Sequence, residues 1–154
     1  MGKRFTLLAG LLATAILWGT DQASAETILF VPQDNRPVSL AYTVDTATGA
    51  GYTVITPPEY MISGRNYHGE ADEIWQWVSD NASKADIMVL STDTLVYGGL
   101  VDSRKHELSL QLLTGRADRI AELHQKYPDI PIYAFGTVMR SPRASGGGVE
   151  PSYY

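Results

Sequence analysis

The sequence has no cysteine. Disulfides, thiolate metal sites, a cysteine nucleophile and a lipid anchor carried on cysteine are therefore excluded. It also lacks a basic excess: 12 Lys and Arg stand against 17 Asp and Glu, for a formal net charge of −5. The electrostatic footprint of a nucleic-acid-binding protein is missing, and no nucleic acid partner is expected. No apolar run reaches the roughly 20 residues that a membrane-spanning helix needs. There is no glycine-rich dinucleotide fingerprint and no P-loop, so no nucleotide is expected as cofactor. A serine nucleophile elbow is absent as well. The 14 glycines and 8 prolines follow no period, which removes collagen-like and low-complexity readings. What remains, at 44% hydrophobic and 19% charged, is the balance of a globular chain. Its 154 residues suit one domain.

The first 25 residues are of a different kind. Lys3 and Arg4 give a positive start, Leu7 to Trp18 is uncharged and apolar, and Ala23-Ser24-Ala25 offers the small-x-small pattern of a cleavage site. Residues 1–25 are expected to be a signal peptide, with no twin arginine and hence the general secretory route. Export to the periplasm or the extracellular space follows, with membrane contact only during export. The competing readings are an N-terminal membrane anchor and a buried helix. Residues 26–154 would then form the mature chain, with ten basic and sixteen acidic residues.

Along that chain, short continuous apolar runs alternate with helical periodicity. Strands are expected at 27–31, 52–56, 86–91 and 132–138, and helices at 38–47, 70–82 and 107–127. Ala71, Ile74, Trp75, Val78 and Ala82 make one apolar stripe on the second helix, with Glu70, Asp72 and Glu73 in its first turn. The third helix shows Leu113, Ala117, Ile120, Leu123 and Tyr127 on one face. Residues 92–104, with Gly98 and Gly99, read as a loop. The order β-α-β-α-β-α-β implies an α/β fold with a mainly parallel sheet, either Rossmann-like or the first half of a barrel. With no helix after the fourth strand, residues 26–154 are expected to be the N-terminal part of an α/β domain, a fragment or an early-terminated frame.

In both architectures ligands bind beyond the carboxyl ends of the strands. Those ends deliver Asp34, Asn35 and Arg36 from the first strand, Ser91, Thr92 and Asp93 from the third, and Thr137, Arg140 and Arg143 from the fourth. Asp34 and Asp93 are the candidate catalytic carboxylates: two in one cleft can divide into acid and base, or hold a divalent cation. Arginines at the same edge suit an anionic or hydroxyl-rich group. Plainer readings stand beside these. Asp34 can simply cap the next helix, Arg36 can pair internally with Asp34 or Asp93, and Gly98-Gly99 can be an ordinary turn. His68, His106 and His124 show no metal-ligand spacing. His68, in a loop with Arg65 and Tyr67, is within reach of a ligand, but incidental placement is the better expectation. Trp75 and Trp77 read as core, and the sequon at Asn81 arises easily by chance.

Three stretches carry a family resemblance: Ile28-Leu-Phe-Val-Pro-Gln-Asp34-Asn-Arg36-Pro37-Val38; Leu90-Ser91-Thr92-Asp93-Thr94-Leu95-Val96-Tyr97-Gly98-Gly99-Leu100-Val101-Asp102-Ser103-Arg104; and Thr137-Val138-Met139-Arg140. Together they resemble the N-terminal part of the bacterial domain of unknown function 4127 family, from Thr27 to about Tyr154. Asn35 stands where that family typically has a second Asp. The resemblance implies a longer whole protein and shared polar strand ends, and supplies no reaction.

The leading expectation is an exported, hydrolase-type enzyme acting on a small polar or carbohydrate-like substrate. Asp34 and Asp93 would be acid, base or metal ligands. Arg36, Ser91, Arg104 and Arg140 would bind substrate, and Tyr97 would orient it from a mobile Gly-Gly loop. The rivals are a non-catalytic periplasmic or cell-surface ligand-binding module and an inactive truncated fragment.

Overall fold

The computed structural model describes residues 25–138. Its order is β1 (Thr27–Val31), α1 (Ala41–Gly49), β2 (Thr53–Ile55), a 3-10 turn (Glu59–Met61), α2 (Ala71–Asn81), a second 3-10 turn (Ala82–Lys84), β3 (Ile87–Ser91), a π-helical turn (Asp93–Tyr97), α3 (Asp102–Lys105), α4 (Leu110–Lys126) and β4 (Ile132–Phe135). The four strands form one parallel sheet in the order β2-β1-β3-β4.

That order decides between the two expected architectures. In a half-barrel each strand lies beside its successor, whereas here β1 sits between β2 and β3. The sheet is open and Rossmann-like, and the half-barrel is excluded. The winding reverses between β1 and β3, the point where open α/β sheets hold their ligands.

Strand residues alternate between faces. In register, Leu29 faces Met88 and Val31 faces Leu90, and all four are fully buried. The helical stripe predicted for α2 covers them: Ala71, Ile74, Trp75 and Val78 are buried, joined by Ala82 from the following turn. Trp75 packs in this core and donates its indole N–H to the carbonyl of Leu95 at 2.8 Å. An aromatic ring with its one donor satisfied is a structural anchor, and it ties α2 to the π-helical turn. Deleting a buried aliphatic side chain from such a core costs about 2–5 kcal/mol.

One expectation about packing changes. On α4 only Leu123 is fully buried, with Ile120 and Tyr127 packed partly against the core, while Ala117 faces solvent. At β4, Tyr133 is 62% and Phe135 37% exposed, as expected of a last strand with no helix after it. β4 is the edge of the described sheet and its outer face stays open among the described residues. α1 begins at Ala41 rather than Val38, because residues 37–40 form turns closed by Ser39 and Leu40 donating to the carbonyl of Arg36.

The acidic first turn of α2 serves α4. Asp72 accepts from Arg116 Nη2 at 2.6 Å and from Arg119 Nη1 at 2.8 Å. Arg116 also donates through Nη1 to the carbonyl of Val96 at 3.0 Å, so one side chain ties together α4, α2 and the π-helical turn. The Arg116 hydrogen bond, with Arg119 adding to it and burial opposing it, holds the Asp72 carboxyl below its ordinary pKa. A depressed carboxyl contributes stability above its unfolded pKa and loses it as pH falls through the folded value. The carboxylate is half exposed, so the contribution is about 1 kcal/mol or less. Melting temperatures of the protein and of Asp72→Asn should differ at neutral pH and converge in acid.

Candidate functional site

Three segments meet at the carboxyl ends of β1, β2 and β3. The first is residues 33–36 after β1, the second residues 63–69 between β2 and α2, and the third residues 98–104 after the π-helical turn. Backbone hydrogen bonds stitch them together. Leu100 donates to the carbonyl of Gln33 at 3.2 Å, and Asn35 donates to that of Ser63 at 2.9 Å. The Asn35 amide donates further to the Tyr67 hydroxyl at 2.8 Å and to Glu59 Oε1 at 3.3 Å.

Glycines make this junction possible. A Cβ on Gly69 would sit 2.1 Å from the carbonyl oxygen of Gly98, and one on Gly99 would sit 2.0 Å from Ser63 Oγ. Gly98 has φ +103°, a conformation that other residues adopt only under strain. Gly98 and Gly99 therefore let two loops pack backbone to backbone.

The loops enclose an open cleft of about 880 Å³. Asp34, Arg36, Arg65, His68, Asp102 and Arg104 line it, together with Lys105. Its central feature is a hydrogen bond from His68 Nδ1 to Asp102 Oδ1. The His68 ring is 90% exposed over the cleft, whereas Asp102 is buried beneath it. A carboxylate on Nδ1 fixes the imidazole tautomer and leaves Nε2 free to accept a proton. Asp102 is held in the first turn of α3, where His106 N closes the turn on its carbonyl at 3.0 Å.

Of the residues singled out from the sequence, the cleft gathers Asp34, Arg36 and Arg104. The two candidate carboxylates do not share a partner. Asp34 is buried and accepts from Arg36 through its backbone N at 3.1 Å and its Nε at 2.8 Å, with Arg36 Nη2 also 2.8 Å away. Asp93, also buried, accepts from Gln33 Nε2 at 2.9 Å and from the backbone N of Thr137 at 3.0 Å. Gln33 Nε2 contacts the Thr137 hydroxyl as well. Asp93 thus joins the exits of β1 and β4.

Ser91 is fully buried and its hydroxyl accepts from Thr94 N at 3.3 Å, steadying the start of the π-helical turn. Tyr97 packs its ring at a 35° tilt against that of His106, centroids 4.8 Å apart, and lines a smaller cavity of about 360 Å³ that His68 and Asp102 also line. Arg140 and Arg143 lie outside the described residues, as does nearly all of the expected signal peptide. Among the described residues, no group of three or more His, Asp or Glu side chains is placed to hold a metal ion.

Reading along the sequence missed the pair at the centre. His68 and Asp102 are 34 positions apart, and His68 carries no local motif. The usable signal was Asp102 itself, inside the Tyr97–Arg104 stretch that carries the family resemblance.

No curated protein and no solved structure matches this chain. The family model described as "Protein of unknown function (DUF4127)" matches residues 28–154, and the chain belongs to that family.

Proposed function

We propose that the chain is part of an exported hydrolase that cleaves a small polar, carbohydrate-like substrate in the cleft at the carboxyl ends of β1 and β3. The observation that carries this reading is the His68–Asp102 hydrogen bond over that cleft. An exposed imidazole with Nδ1 committed to a buried carboxylate has the arrangement of a general base. His68 Nε2 takes a proton from a water molecule as the water oxygen attacks the scissile centre. The same nitrogen then returns the proton to the leaving group as the old bond breaks. Water is consumed, one bond is cleaved and the imidazole ends as it began.

The remaining candidates position the parts. Asp34 Oδ2 holds the Arg36 guanidinium at the cleft wall, 2.8 Å from both Nε and Nη2, while Oδ1 accepts from the Arg36 backbone N, which supports a substrate-binding role for Arg36. Asp93 fixes Gln33 and the segment after β4.

A panel of small glycosides and esters of hydroxyl-rich alcohols tests the reading, with products identified by mass spectrometry. At least one should be hydrolysed, and Asp102→Asn should reduce that turnover by about 100-fold or more, since it removes the carboxylate that sets the His68 tautomer. Thermal stabilisation by panel members with no product from any of them would make the cleft a binding site and overturn the hydrolase reading.

A further inference from the structure

The charges lining the cleft do not balance. Arg36, Arg65 and Arg104 bring three positive charges against two carboxylates, Asp34 and Asp102. Both carboxylates are already engaged, Asp34 by Arg36 and Asp102 by His68. Among the described residues, Arg65 and Arg104 have no carboxylate within ion-pair distance. This surplus lies in a chain whose net charge is −5, so the cleft contrasts in sign with the molecule around it. Such a contrast focuses the field and draws anions toward the cleft. Guanidinium groups without an internal partner offer planar forks of donors that fit carboxylate, phosphate and sulfate oxygens.

We propose that Arg65 and Arg104 form an anion subsite, and that the substrate is a hydroxyl-rich molecule bearing a carboxylate, phosphate or sulfate group. The anionic group docks between the 63–69 and 98–104 loops, beside the His68–Asp102 pair, so the neighbouring bond of the substrate lies under His68. The naming of a substrate class rests on the hydrolase reading, while the anion subsite itself does not. Arg65 is exposed on its loop, whereas Arg104 is half-buried within α3. Arg104 thus supplies the fixed wall of the subsite and Arg65 closes over it.

Calorimetric titration of the full chain with inorganic phosphate, sulfate, galacturonate and neutral galactose tests this. At least one anion should bind, with affinity falling as ionic strength rises. Galactose should bind about 10-fold more weakly than the tightest of the anions or not at all. Arg65→Gln and Arg104→Gln should each weaken the preferred anion by about 10-fold. Which of the three anions binds tightest distinguishes a carboxylate from a phosphate or sulfate on the substrate. Melting curves establish that each variant is folded, and Arg65→Gln, at an exposed position, carries the test if Arg104→Gln does not fold. Galactose binding as tightly as the tightest of the three anions overturns the proposal, as does anion affinity unchanged by Arg65→Gln. The two readings fail separately. Anion binding that survives in a protein hydrolysing nothing in the panel removes the hydrolase and keeps the subsite. Hydrolysis with no preference for anionic substrates does the reverse.

Discussion

His68→Ala should lower turnover of the panel substrate by about 10²–10⁴-fold, the range that a positioned general base supplies. The melting temperature should hardly move. The ring is 90% exposed, so its removal leaves no cavity, and surface substitutions of this kind stay within about 0.5 kcal/mol. The combination is diagnostic. A residue that mattered only for packing would lose stability and activity together, whereas a proton-transfer group loses activity alone. Asp102 makes the contrasting case. It is buried beneath the ring. Asp102→Ala should therefore cost both turnover and stability, because it opens space beneath the loop as well as freeing the imidazole. Michaelis constants add a second reading. If His68 acts on the transition state, kcat falls while KM stays near its original value. Unchanged kcat in His68→Ala, in a variant that melts normally, would remove His68 from the chemistry and with it the basis of the hydrolase proposal.

The elements were legible where one periodicity dominated. The apolar runs at β1 and β3 and the stripe on α2 announce themselves, because burial against a single layer imposes a period that local sequence can display. Strand order was not legible. Whether β3 returns beside β1 or continues past β2 depends on which crossover packs better, and no residue in Glu59–Gly69 encodes that choice locally. The π-helical turn at Asp93–Tyr97 read as loop, since its closure depends on Gly98 N and Gly99 N reaching back to the carbonyls of Thr94 and Asp93. The candidate site divides the same way. Strand exits could be listed one by one, which found Asp34 and Arg36, while Arg104 came from the Tyr97–Arg104 stretch that carries the family resemblance. Which exits converge is a tertiary fact, so Asp93 turned toward Gln33 and Thr137 while His68, from a loop with no motif, met Asp102.

The glycines at that convergence give the second large effect, and they show why His68 and Asp102 meet at all. Gly99→Ala should reduce turnover about as much as Asp102→Asn and lower the melting temperature. The new Cβ would lie 2.0 Å from Ser63 Oγ, 2.5 Å from Ser63 Cβ and 3.0 Å from Asp102 Oδ2. Ser63 cannot retreat freely, because it is buried and its carbonyl holds Asn35 N at 2.9 Å. The strain must instead separate the 63–69 and 98–104 loops, at an overpacking cost of about 1–3 kcal/mol. Separation of about 1 Å is enough to break the His68–Asp102 contact and misplace the base. Gly115→Ala provides the opposite sign. Gly115 lies within α4, its added Cβ meets nothing within 4 Å, and its φ is not positive. Alanine there should stabilise the helix by about 1 kcal/mol with no change in turnover. Thermal melts and kcat on the pair of variants decide the matter. If Gly99→Ala kept full activity, the loops would not need backbone contact to hold the pair, and the cleft would owe its geometry to something other than Gly69, Gly98 and Gly99.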